Sequence, residues 1–235
     1  MEIEKMEALI CDAVNDTDLH PSEIPSIDLY LDQIISLADA KRLEGSERFY
    51  DRELTKTMIN NYSKDGLIEP IKGKKYSRDQ ILQMLLVYSL KNTLSIGEIK
   101  RILQNTYLLE GYNSEMLEDV YNRFLAIKEY VRGHAWEGIN SFLSREKLDT
   151  EQESDFLTMI LGLSAMSSYL KNIVQALLEE HYPNLDEKKE QEERERKEEA
   201  KRIKEEKKAE KQAAKARREE AEAVAAESVK QTEDA

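Results

Sequence analysis

Cysteine, histidine, proline and glycine are all scarce in this chain: one, three, four and eight of them in 235 residues. Each shortage removes a class of protein. Cys11 alone makes an intrachain disulfide impossible and leaves no zinc-finger spacing or thiol pair; among Leu9, Ile10 and Val14 it reads as a small buried hydrophobe. His20, His134 and His181 are far apart and in no His-x-x-x-His spacing, which argues against a metal site. There is no Gly-rich phosphate loop, no nucleophile elbow and no convincing acid pair, so neither catalysis nor a cofactor is expected. The longest uncharged run, Phe156 to Leu170, has fifteen residues. A spanning helix needs ~20, so this run reads as a buried helix of a soluble protein. The opening MEIEKMEALICDAV is acidic where a secretory signal would be basic, and a cytoplasmic protein without membrane contact is expected.

What is present is helical periodicity. Apolar residues recur at three and four positions rather than two, so the chain should be mainly α-helical. A helix over 28–43 would present Leu29, Ile34, Ile35 and Leu37 on its apolar face. Another over 55–65 stops at Gly66, where a left-handed residue costs least, and Pro70 forbids its continuation. Residues 68–76 read as a tight β-hairpin about Lys72 and Gly73, anchored by Ile68, Ile71 and Tyr76. Ser77 with Gln80, Ser95 with Glu98 and Thr150 with Glu153 have capping-box spacing and open helices at 78–91, 96–104 and 151–181. The first of these is apolar around most of its girth and should be the core of a small domain. Residues 114–132 place Leu117, Val120, Tyr121, Phe124, Ile127 and Val131 on one stripe that needs a partner.

The expected organisation is an acidic extension at 1–27, a small domain around the 78–91 helix at 28–110, a helical dimerisation or effector region at 111–183 and a charged tail at 184–235. That tail interleaves Glu with Lys and Arg three or four residues apart. It reads as a solvated helix or a disordered segment, or else as an arm for a protein partner. Trp136 and the tyrosines at 107, 112, 121 and 130 are candidates for an effector pocket, against the alternative of core or loop packing.

Charge marks the site. The whole chain carries −13, yet residues 41–104 are net +5, and residues 54–78 hold six cations (Lys56, Lys64, Lys72, Lys74, Lys75, Arg78) against Asp65 and Glu69. Because the global field repels a polyanion, any contact with nucleic acid must be local. A helix followed by a basic hairpin supplies the second and third parts of a winged helix-turn-helix, whose second helix enters the major groove while the wing touches backbone. With Met58, Ile59 and Tyr62 facing inward, Lys56, Thr57, Asn60, Asn61 and Lys64 are left for the groove. Lys72, Lys74, Lys75 and Arg78 are left for phosphate. Lysine is a point charge for phosphate or a donor to guanine, and asparagine pairs in bidentate fashion with adenine. The competing reading, an ordinary solvated surface with asparagine caps, is the one that charge alone favours.

A resemblance shifts the balance. Tyr62, Gly66, Leu67, Pro70, Tyr76, Ser77, Leu94, Ser95, Glu98, Ile99 and Leu103 fall in the order and spacing of the DNA-binding domain of MerR-type regulators. With IPSIDLYLDQI upstream, residues from about 20 to 135 also resemble an uncharacterised family of bacterial proteins, mostly from Firmicutes, known as a domain of unknown function. The chain departs from MerR proteins where Asn60 and Asn61 stand in place of an arginine and a tyrosine that contact DNA backbone. The resemblance implies a mainly α, MerR-like winged helix-turn-helix at 28–110 with a small β-hairpin wing, a homodimer through a long following helix of coiled-coil type, and transcription regulation on double-stranded DNA. The alternative is a non-catalytic adaptor whose winged domain no longer binds DNA.

Overall fold

Ser77 begins the element around which the chain is built. In a computed structural model of the protein, describing residues 1–49, 53–71, 73–185, 187, 191–204 and 206, the Ser77 hydroxyl accepts from the Gln80 amide. The Gln80 side chain in turn accepts from the Ser77 amide, closing the capping box. Helix α4 (Arg78–Leu90) starts there, and Ile81, Leu82, Met84, Leu85 and Val87 are buried along it. The remaining elements of residues 1–183 are α1 (Ile3–Ala13), a 3₁₀ turn (Pro21–Glu23), β1 (Leu29–Tyr30), α2 (Leu31–Arg42), α3 (Lys56–Lys64), β2 (Lys75–Tyr76), α5 (Ile96–Tyr107), α6 (Ser114–Gly133), α7 (Ala135–Glu146) and α8 (Glu153–His181). The architecture is mainly helical with a small two-stranded antiparallel sheet.

That sheet is not the hairpin expected over 68–76. Its strands are β1 and β2, with Leu29 opposite Tyr76 and Tyr30 opposite Lys75. The reason lies in α4. Gln83, fully buried, accepts from the Glu69 amide (3.0 Å), and the Gln80 side-chain amide donates to the carbonyls of Glu69 (3.2 Å) and Pro70 (3.1 Å). Two helix glutamines thus satisfy the backbone that a hairpin's first strand would have offered to its second. β2 pairs instead with β1, which buries Leu29 and Tyr76 on the same face.

A main core joins Ile34 of α2, Ile59 and Tyr62 of α3, the buried face of α4, Ile99 and Leu103 of α5, and Leu117, Tyr121 and Leu125 of α6. On α6 the expected stripe is only half right: Leu117 and Tyr121 are buried, while Val120, Ile127 and Val131 are exposed. Residues 1–27 are woven into the fold rather than appended to it. Leu19 and Ile24 join the main core, and Met6 packs with Leu143 and Met159 in a second cluster. The segment after α1 is also latched to α6 by ion pairs of Asp16 and Asp18 with Lys128 and Arg132. Cys11, expected to be buried, is exposed on α1, whose buried residue is Met6.

The helix expected to start at a Thr150–Glu153 capping box starts without one. The Thr150 hydroxyl donates to the Met1 carbonyl (2.8 Å), and α8 begins after Gln152. Its apolar run is exposed rather than buried: of the residues in α8, only Met159 and Leu178 are buried. Among the described residues it is also the one helix whose length and composition would allow it to cross a membrane. Residues 184–235 form a second unit, in which 191–204 are helical and exposed, with Glu193–Lys197 (2.7 Å) and Glu199–Arg202 (3.0 Å) ion pairs along the helix.

Two measurements test these anchors. Gln83→Leu strands the Glu69 amide and is expected to cost about 1–3 kcal/mol in urea unfolding, where a surface glutamine such as Gln191 would cost almost nothing. Burial opposes ionisation of Asp16, but hydrogen bonds from Lys128 and Arg132 and their charges hold it below its ordinary 3.8. The folded pKa is therefore the lower one, so this stabilisation is present above about pH 4 and disappears as pH falls through the folded value. Asp16→Asn is expected to flatten that acid limb of stability against pH.

Candidate nucleic-acid interface

Helix α3 is oriented at both ends by local chemistry. The Thr55 hydroxyl accepts from the Met58 amide at its start. At its end Gly66 takes φ +70°, with the Gly66 amide bonded to the Ser63 carbonyl and the Leu67 amide to the Tyr62 carbonyl. This is the Schellman arrangement, which a glycine adopts at least cost. The Tyr107 hydroxyl then donates to the Leu67 carbonyl (2.8 Å), tying the chain after α3 to α5. Burial holds the Tyr107 hydroxyl strongly against ionisation, so it remains a donor.

These restraints fix which face is outward. Ile59 and Tyr62 are buried and Met58 half-buried, as expected from spacing. Burial pushes the Tyr62 hydroxyl up to about 12. Lys56, Thr57, Asn60, Asn61 and Lys64 are all exposed. Positions 57, 60, 61 and 64 follow the three- and four-residue steps of one helical stripe, with Lys56 on its flank.

The sheet brings other expected residues close to that helix. Lys56 Nζ lies 2.6 Å from an Asp32 carboxylate oxygen in the first turn of α2, and Lys75 Nζ lies 4.9 Å from the centre of the Tyr30 ring. Tyr30 and Asp32 are two residues apart, so the start of α3 and strand β2 converge on the β1–α2 junction. Lys74 and Lys75 are exposed; Lys72 lies outside the described residues. Sequence reasoning missed both Tyr30 and Asp32. Their role arises from pairing between distant segments, Leu29 with Tyr76 and Tyr30 with Lys75, and carries no local signal.

Arg78 has a different occupation from the phosphate contact expected of it. Its guanidinium meets both oxygens of Glu118 on α6, at 2.5 and 3.0 Å, and donates to the Pro21 carbonyl (2.9 Å). It joins α4 to α6 and to the 3₁₀ turn. The aromatic candidates for an effector pocket separate as well. Tyr121 is core, Tyr107 and Tyr112 meet as tilted rings 5.3 Å apart against the core, Trp136 packs in the second cluster and Tyr130 is exposed.

Removing the Arg78 side chain should therefore act on stability. Arg78→Met leaves Glu118 partly buried without its partner and is expected to cost about 1 kcal/mol, since both side chains keep some solvent. Thermal unfolding measures this cost, and the nucleic-acid affinity of the folded variant is expected to stay within about twofold of the parent.

No curated protein and no solved structure matches the chain. Residues 19–124, which contain α2, α3, β1, β2 and α4, match the family described as a domain of unknown function (DUF1836).

Proposed function

We propose that the chain is a cytoplasmic DNA-binding regulator of transcription that docks α3 in the major groove of duplex DNA and acts as a homodimer. The observation that carries this reading is the exposed stripe Thr57, Asn60, Asn61 and Lys64 on a helix restrained at both ends, with Lys75 of β2 and the preceding Lys74 exposed. Such a helix presents amide and ammonium donors to base edges, while the two lysines supply phosphate contacts near the sheet. The arrangement suits a MerR-like winged helix-turn-helix in which α2 and α3 are the two helices and the segment before β2 is a short wing.

One observation favours the adaptor alternative. Lys56 is neutralised by Asp32 at 2.6 Å, and Arg78 is spent on Glu118, so the cationic surface is smaller than the sequence promised. In that reading the domain is a protein-binding module without DNA affinity.

Titration of fluorescent duplexes with the full chain at several salt concentrations separates the two. Lys74→Ala with Lys75→Ala is expected to weaken binding on all sequences and to reduce the salt slope by about 2, since each phosphate contact contributes ~0.9. Asn60→Ala is expected to relax base preference while leaving that slope unchanged. Unaltered binding in both variants would remove this face from the interface.

A further inference from the structure

Helix α8 is tied down at its two ends and bare between them. At the start, Met159 is buried with Met6 and Leu143, and Phe156 and Leu163 pack beside them. Gly162 sits so close to Phe142 that a Cβ there would lie 2.8 Å from the ring. At the end, Leu178 is buried and the Gln175 side chain donates to Glu98 (2.7 Å). Arg101 of α5 donates to the carbonyls of Glu179 (3.1 Å) and Tyr182, and Asn105 to that of Pro183 (3.0 Å). In the stretch between, Met166, Tyr169, Leu170, Ile173, Val174 and Leu177 are 40–65 % exposed.

Their spacing is regular. Phe156, Met159, Leu163, Met166, Leu170, Ile173 and Leu177 alternate steps of three and four, a seven-residue repeat over the length of the helix. The first three are used inside the chain's own second core, and the last four face solvent. A seven-residue apolar repeat is the surface into which a helix with the same repeat fits its side chains. The bare half is also symmetric about the Lys171–Asn172 bond: reversal there exchanges Met166 with Leu177, Leu170 with Ile173, and Tyr169 with Val174. An antiparallel copy therefore meets it in four apolar layers, and a twofold contact of this kind closes on itself. Lys171 is the one charge between Asp155 and Glu179, so the seam avoids the repulsion expected of two copies each carrying −13.

We propose that this half of α8 is the seam of a homodimer, with a second copy of α8 as its occupant. Six half-exposed apolar side chains present on the order of 600 Å² per copy, or about 1,200 Å² for the pair, above the ~1,000 Å² that a specific interface needs. A bilayer is a poorer occupant. The bare stretch from Ser164 to Leu177 is fourteen residues, short of the ~20 that span one, and both its ends are hydrogen-bonded or packed against the rest of the fold. The seam deepens the proposed regulator, on which it rests for its meaning, because a twofold pair of domains would read paired half-sites.

Sedimentation of the full chain up to about 100 µM tests the seam. The parent is expected at twice 27.3 kDa. Leu170→Glu with Ile173→Glu is expected to run as a monomer with unchanged far-UV circular dichroism, since both side chains are exposed. The milder Leu170→Ser should raise the dissociation constant at least about tenfold. Ile127→Glu, on the rival bare face of α6, should leave the dimer intact. A monomeric parent, a dimeric double variant, dissociation by Ile127→Glu, or flotation of the parent with neutral lipid vesicles would each overturn the seam. DNA titration of the same samples keeps the two readings apart: a monomeric parent that binds duplex DNA sinks the seam alone, and a dimer that binds none sinks the regulator alone.

Discussion

Everything around the proposed interface depends on two glutamines in a buried helix. A helix as apolar as α4 would normally spend every inward position on packing, yet Gln80 and Gln83 are buried in it. Their amides replace a neighbouring strand for the backbone of Glu69 and Pro70, and Gln83 also donates to the Glu69 carboxylate (2.6 Å) and the Tyr112 hydroxyl (2.9 Å). Polar groups at such depth are stabilising only when each is matched, which makes the geometry of the 69–70 segment specific rather than approximate. With that segment held to α4, the Schellman turn after α3 can point only one way, and β2 is released to pair with β1. The outward direction of Asn60 and Asn61 follows from the burial of Ile59 and Tyr62 on the other face of the same helix.

The same logic explains why the cationic island is less basic in space than in sequence. Ion pairs form wherever a long cation can reach a carboxylate. Of the cations in the island, Lys56 is paired with Asp32 and Arg78 with Glu118. Lys74 and Lys75 keep their exposure because the short ladder leaves their side chains at its edge. What the island retains among its described residues is two exposed amides, Asn60 and Asn61, with Lys64 beside them on α3 and Lys74 and Lys75 exposed at β2, a mixture of groups for base edges and for backbone.

Local features were legible in the sequence. The Ser77 and Ser95 capping boxes, the left-handed Gly66, the inward Ile59 and Tyr62 and the apolar girth of α4 each follow from residues within one or two helical turns. The likeness to a domain of unknown function was legible too, over much the same residues. What escaped was non-local. The pairing of Leu29 with Tyr76, the capture of Arg78 by Glu118 and the bond between Thr150 and Met1 join positions far apart, and nothing in the spacing of either partner announces them. Helix α8 shows the limit in another form. Its composition predicts burial, but burial requires a surface to cover it, and among the described residues only its ends are covered.

The central claim is that the α3 face reads duplex DNA. Selection of bound sequences from a random duplex pool by the full chain at low salt tests it most directly. The account predicts enrichment of paired half-sites, with affinity falling steeply as salt rises. A chain that retains no duplex at low salt would contradict it.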